Sequence, residues 1–171
     1  MFKNKIRVFI IDSSAIFTGY VSQLTLPLYT TPQVISEIKD EKSLTILETM
    51  KATRKLMVKN PSRKSLKKVI ELSKSIGEFQ SLSNTDISIL ALALDLKFES
   101  RNPVIITDDY AVQNVAKNLG LDFQPIRTRG IKEARKYIVL CPACGYVSKK
   151  SVEKYCPICG HKLVKKRIRT S

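Results

Sequence analysis

All four cysteines of the chain fall in two short motifs, Cys-Pro-Ala-Cys-Gly at 141–145 and Cys-Pro-Ile-Cys-Gly at 156–160. Two CxxC pairs separated by eleven residues bring four thiolates to one point, which suits the closed tetrahedral site of structural Zn²⁺. Each pair ends in glycine, the residue a tight knuckle needs where backbone folds close to sulfur. One zinc ion held by Cys141, Cys144, Cys156 and Cys159 is the expectation, against a disulfide pair or a redox CxxC. His161, the single histidine, lies just beyond the second knuckle and is not needed as a ligand. A ribbon of this size cannot build a large core, so metal binding should be tied to its folding. The chain has 171 residues, enough for one ordinary domain beside such a module but not for two.

The larger part alternates short apolar runs with helical patterns. Residues 8–11 (VFII) run into Asp12-Ser13-Ser14, and the run reads as a strand buried on both faces, as in a parallel sheet covered by helices. Further strands are expected at 56–59, 104–106 and 123–126. Between them come helical stretches at 14–24, after Thr31-Pro32, and at 43–55, 64–76 and 110–119; Gly120 closes the last. The most hydrophobic helix follows Ser83, with Ile87, Leu90, Ala91 and Leu94 on a core face. Such alternation implies βαβ units with right-handed crossovers, an α/β class with a mostly parallel sheet. The expected organisation is a sheet domain over 1–127, a basic linker at 128–137, a zinc ribbon at 138–165 and a basic tail at 166–171.

Charge is unevenly shared. Residues 1–126 carry 17 Lys/Arg against 13 Asp/Glu, whereas residues 127–171 carry 13 against only Glu133 and Glu153. A polyanion is the natural partner of the basic part. That part has no apolar stripe to insert into a membrane, so nucleic acid is favoured over a lipid surface. No apolar run approaches a membrane span, and Asp12 interrupts the first apolar run as a signal peptide would not. A cytoplasmic location is expected.

Five acids occupy telling positions: Asp12 after a strand, Glu37 in an early helix, Asp86 at the start of the hydrophobic helix, and Asp108-Asp109 after a second strand. In a parallel sheet the two strand-end sites share one edge, where open α/β sheets place their ligands. Each acid also has a purely structural reading. Asp12 or Ser13 could cap the next helix, Glu37 could be an ordinary exposed helix residue, and Asp86 sits three after Ser83 in a capping-box arrangement. If the acids do converge, they would repel one another unless a divalent cation neutralised them. Mg²⁺ or Mn²⁺ suits such oxygen ligands, and metal-assisted phosphodiester hydrolysis follows. With one histidine, which lies in the ribbon, neither a Ser/His/Asp triad nor histidine acid–base RNA cleavage is supported. No phosphate-binding glycine loop is present.

IIDSSAIF, PQVISEIKDE, LSNTDISILALAL and VIITDDYAVQNVA, in that order, resemble the PIN-domain ribonucleases. The appended four-cysteine ribbon narrows the resemblance to archaeal-type members of the Nob family, endonucleases that mature the 3′ end of small-subunit (16S) ribosomal RNA. The resemblance covers residues 5–165. It implies a three-layer α/β/α PIN-like fold plus ribbon and a metal-dependent endoribonuclease acting on a pre-small-subunit particle, where protein partners can also be met. Its acidic cluster maps onto Asp12, Glu37, Asp86 and one or both of Asp108 and Asp109. The Thr-x-Asp pattern of the family is matched by Thr107 and Asp109, and favours Asp109. Thr107 would orient water or a ligand, and Ser13 would hydrogen-bond Asp12 or cap its helix. Two other readings stay open: a toxin-type PIN ribonuclease controlled by an antitoxin, and a non-catalytic RNA-binding assembly factor that keeps the fold.

Overall fold

The computed structural model describes residues 6–25, 27–148 and 153–168. Parts of the expected sheet domain (1–5), ribbon (149–152) and tail (169–171) lie outside the described residues. The apolar runs form strands β1 (Arg7–Ile11), β3 (Leu56–Val58), β4 (Asn102–Ile106) and β5 (Asp122–Gln124), joined by β2 (Leu28–Thr30). All pair in parallel, in the order β3-β2-β1-β4-β5. Helices α1 (Ser13–Phe17), α2 (Pro32–Glu37) and α3 (Glu41–Ala52) connect β1, β2 and β3, while α4 (Arg63–Ser75), α5 (Asn84–Phe98) and α6 (Tyr110–Asn118) serve β4 and β5. Right-handed crossovers place the first three on one face and the last three on the other. The packing of α1 on α2 and α3, and of α4, α5 and α6 on one another, fits that division, and α2 also meets α5. The result is a three-layer α/β/α sandwich.

Local chemistry accounts for most element ends. Thr31 accepts the Val34 amide in front of Pro32 at the first helical position. Ser83 and Asp86 exchange the two bonds of a capping box at the head of α5. That helix is apolar all round because it is buried all round, from Ile87 to Leu94 and again at Leu96. In β1, Val8, Ile10 and Ile11 are fully buried. Among the described residues no helix is long and apolar enough to cross a membrane.

The C-terminal unit is an antiparallel pair, β6 (Lys136–Leu140) with β7 (Val164–Ile168), carrying the two cysteine knuckles between them. The pair therefore takes in Lys136 and Tyr137 from the stretch read as linker, and Lys166 to Ile168 from the stretch read as tail. Three side chains fasten the segment between the two units. Asp108 accepts the amides of Ile126, Arg127 and Thr128. Gln113 accepts the Ile131 amide, and Asn114 bonds both the amide and the carbonyl of Arg135. The stretch read as a basic linker is held by bonds from α6 and the end of β4.

The two units also touch directly. The Tyr137 amide donates to the Ile76 carbonyl at 2.9 Å, and Gly77 lets the strand come that close. Gly77 has φ +72°, and a Cβ there would lie 2.4 Å from the Tyr137 carbonyl oxygen. Gly77→Ala is expected to cost about 2–3 kcal/mol through the left-handed backbone and the backbone clash. A urea unfolding series would show it as a lower midpoint, and an unchanged midpoint would mean that this contact is not held in solution.

Candidate active site

The strand order makes β1 and β4 the topological switch point, and the crevice outside their carboxyl ends is where a doubly wound sheet binds ligands. Ile11 pairs with Ile106, so the next residues, Asp12 and Thr107, emerge side by side. The buried Thr107 hydroxyl donates to Asp12 Oδ2 at 3.1 Å and accepts the Asp109 amide at 3.1 Å. The Ser13 hydroxyl donates to Asp12 Oδ1 at 3.0 Å. Asp12 occupies the N-cap position of α1, yet its carboxylate accepts no capping amide. Its oxygens face hydroxyls at the mouth of the crevice instead of serving the helix.

Asp86 and Asp109 do cap helices, and each uses one oxygen to do so. Asp86 Oδ2 accepts the Ser83 amide at 2.7 Å and its hydroxyl at 2.8 Å. Asp109 Oδ1 accepts the Ala111 and Val112 amides at 2.6 and 3.0 Å. The second oxygen of each makes no hydrogen bond among the described residues, so structural and ligand roles are compatible. Burial pushes the Asp86 carboxyl above the ordinary carboxylate value. The Ser83 hydrogen bonds oppose that shift, and the negative charges of Asp109 and Asp12 add to it. Asp86 thus feels the charges of the two acids that Thr107 joins.

Glu37 stands apart. It is the last residue of α2, exposed, with no partner among the described residues. Its helix is tied to α5 by the Thr31–Ser88 hydroxyl pair at 2.8 Å, two residues beyond Asp86. Asp108 is committed elsewhere. Besides its three amides it accepts the Thr128 hydroxyl at 3.2 Å and faces Arg127 Nε at 3.7 Å. Its partial burial works against ionisation, but the Arg127, Thr128 and Ile126 amides outweigh that and hold its carboxyl below the ordinary value. Asp108→Ala is expected to lower stability by about 1–3 kcal/mol, because three amides lose their acceptor. Chemical denaturation reads this directly; a variant as stable as the parent would remove Asp108 from its clamping role.

The donor set suits a hard cation: carboxylate oxygens with free lone pairs and mutual repulsion to relieve. Among the described residues these acids do not close around one point as the cysteines do. An ion such as Mg²⁺ keeps several waters and would need only one or two of them directly.

The four cysteine sulfurs do lie within 4.8 Å of one another. Cys141 Sγ is 3.4 Å from Cys159 Sγ, and Cys144 Sγ 3.5 Å from Cys156 Sγ, close to the ~3.8 Å edge of a tetrahedron with Zn–S bonds of about 2.3 Å. The knuckles repeat one pattern. Gly145 and Gly160 donate back to the carbonyls of Cys141 and Cys156, and the Cys141 and Cys156 amides donate to Tyr146 and His161. The Cys144 amide directed at the Cys141 sulfur is the main cause holding that thiol down at about 6, whereas Cys159, despite the His161 amide, is pushed up to about 12 by the neighbouring sulfurs and burial. His161 is exposed and outside the cluster.

Three residues that matter here are absent from the sequence-level set: Gln113, Asn114 and Glu78. Gln113 donates to the Thr107 carbonyl at 3.0 Å and so fixes the end of β4. Asn114 donates to the buried Glu78 at 2.7 Å. The signal was present as two amides inside the otherwise apolar run Val112–Ala116, where a polar pair on a buried helix face needs partners.

Comparison with known proteins agrees with this architecture. Residues 9–96 match the family described as "PIN domain of ribonuclease", and residues 131–170 the family described as "Nin one binding (NOB1) Zn-ribbon like". An Endoribonuclease Nob1 from Pyrococcus abyssi is 38% identical, the match covering 94% of this chain and 96% of that one. One from Archaeoglobus fulgidus is 35% identical, covering 96% and 93%. The 20S-pre-rRNA D-site endonuclease NOB1 of Saccharomyces cerevisiae is 32% identical over 57% of this chain and 22% of its own length. A PIN nuclease sheet with acids at its switch point, followed by a four-cysteine ribbon and matched over nearly its whole length by the two archaeal relatives, places the chain in the Nob1 family of endoribonucleases.

Proposed function

We propose that the protein is a divalent-metal-dependent endoribonuclease that cuts precursor small-subunit (16S) rRNA at its 3′ end during ribosome maturation. The observation that carries this reading is the meeting of Asp12 and Asp109 through Thr107 at the switch point, with Asp86, raised chiefly by burial, feeling the charge of both. Asp12, Asp86 and Asp109 would hold Mg²⁺ or Mn²⁺, with Glu37 as an outer acid contributed by α2. A bound ion of this kind supplies an activated water and neutralises charge developing on the phosphate. Thr107 sets the direction of the Asp12 carboxylate while its hydroxyl oxygen takes the Asp109 amide, so one side chain ties two of the acids together. Ser13 fixes the other Asp12 oxygen. Asp109 is favoured over Asp108 because Asp108 has its oxygens occupied by the 126–128 turn. Zn²⁺ is assigned to the four cysteines, and the basic ribbon to rRNA docking, chiefly through phosphates and shape. The named substrate of the yeast relative, a pre-rRNA, supports the choice of RNA.

The test is cleavage of a small-subunit 3′ precursor with Mg²⁺ or Mn²⁺ titrated and the cut mapped. Metal-dependent cutting at the mature end is expected. Equal cutting of transfer or messenger RNA would favour the toxin-type reading, and no cutting at any metal concentration the assembly-factor reading.

A further inference from the structure

Where the nuclease domain meets the ribbon there is a cavity of about 220 Å³, lined among others by Glu78, Tyr110, Asn114, Arg135, Tyr137 and Lys165. Its lining residue Tyr110 directly follows Asp109 in the chain and is 55% exposed. Both units build it, with Tyr137 from β6 and Lys165 from β7.

Most of its polar groups are already satisfied. The Glu78 carboxylate pairs with Lys165 and accepts from Asn114. Lys165 also donates to the Ser81 hydroxyl at 3.1 Å and sits 4.2 Å over the Tyr137 ring. Asn114 is spent on Glu78 and on the Arg135 backbone. What remains is the Arg135 guanidinium. It makes no hydrogen bond or ion pair among the described residues, and its Nε is buried without a partner. An unmatched cationic donor in a closed setting is costly. With Glu78 and Lys165 cancelling, the lining carries one net positive charge, belonging to that group.

A lone guanidinium calls for an anion with forked acceptors, and phosphate has that geometry. An exposed tyrosine at the cavity mouth adds an aromatic face, on which any base can stack. We propose that this cavity receives one nucleotide of the single-stranded RNA flanking the scissile phosphate, its phosphate held by Arg135 and its base lying against Tyr110. The proposal rests on the nuclease reading above and adds where the strand runs on leaving the acids. It also gives the ribbon a direct part in substrate binding, because Tyr137 and Lys165 belong to the lining.

The test uses full-length, zinc-loaded protein carrying Asp12→Asn to prevent cutting, and a fluorescent single-stranded RNA spanning the small-subunit 3′ precursor junction. Arg135→Gln should weaken binding about tenfold and lower the salt-dependence slope by about one. Tyr110→Ala should weaken it about tenfold with the slope unchanged. A scan of single abasic sites should find one position at which Tyr110→Ala costs nothing further, a coupling that a merely structural role would not produce. Because Tyr110→Ala alters an exposed side chain, this arm decides the matter even if Arg135→Gln does not fold. Wild-type affinity and slope in both folded variants would overturn the proposal while leaving the nuclease reading intact. A changed slope for Arg135→Gln with no Tyr110 or abasic effect would reduce the cavity to a general anion site and overturn the nucleotide assignment. Failure of the parent protein to bind this RNA at all, and of the wild type to cut it, would instead remove the nuclease reading.

Discussion

Asp12→Asn is expected to lower metal-dependent RNA cleavage on the order of a thousandfold or more, the scale of losing several kcal/mol of metal-assisted stabilisation, with the fold retained. The reason lies in what Asp12 does and does not touch. It caps nothing, since α1 takes no side-chain bond from it. Its partners are the Thr107, Ser13 and Ser14 hydroxyls, and an asparagine can keep an acceptor in place for Thr107. What the substitution removes is a negative charge facing Asp86 and Asp109. Without metal those charges repel, and burial together with its two acidic neighbours already pushes the Asp86 carboxyl up. The metal-free variant should therefore unfold at the same temperature as the parent or slightly above it. Single-turnover cleavage with saturating Mn²⁺, beside a thermal melt in chelator, checks both halves. Cutting at the parent rate would place the chemistry elsewhere.

Cys144→Ser, or removal of zinc by a chelator, should unfold the ribbon and weaken the nuclease domain with it. The first part follows from size. The ribbon's own core is little more than Cys141, Cys156 and Leu163, so the metal supplies most of its folding free energy, about 10–16 kcal/mol in comparable zinc peptides. The second part follows from Lys165, whose ammonium pairs with Glu78, a side chain only 3% exposed. When β7 loses its register, that carboxylate stays inside the nuclease domain with Asn114 but without its cation. Breaking a buried pair by withdrawing one partner costs about 3–5 kcal/mol. Hydrogen exchange should then show lost protection across β6 and β7 and earlier opening of the end of α4 and of the 126–135 segment. Full protection of β6 and β7 in protein shown by elemental analysis to lack zinc would contradict this.

The parts legible in the sequence are those whose cause is local. The apolar runs of β1 and β4 report burial on both faces, Thr31-Pro32 and Ser83–Asp86 report helix starts, and the cysteine spacing reports the metal knuckles. Strand β2 was not legible. Leu28–Thr30 is too short to show a period, and its state is set by β1 and β3 on either side. Strand β7 was hidden for another reason. VKKRI carries three positive charges in five residues, and it is held by the β6 ladder and by Lys165 reaching a glutamate 87 residues earlier. The site divides the same way. Positions of Asp12, Asp86, Thr107 and the Asp108-Asp109 pair could be read from strand ends and a capping box. Which aspartate faces the crevice was indicated only by the Thr-x-Asp resemblance, because physically it depends on the 126–128 amides returning to Asp108. Glu78, Gln113 and Asn114 escaped notice because each acts on a partner distant in sequence.

The claim at the centre of this account is that the acids at the switch point bind one class of divalent ion together. It is tested most directly by titrating Mn²⁺ into zinc-loaded protein and following the free-ion signal by electron paramagnetic resonance. The wild type and Asp108→Ala should both take up Mn²⁺, while Asp12→Asn and Asp109→Asn should leave the signal close to that of Mn²⁺ in buffer. Uptake by Asp12→Asn equal to that of the wild type would contradict the claim.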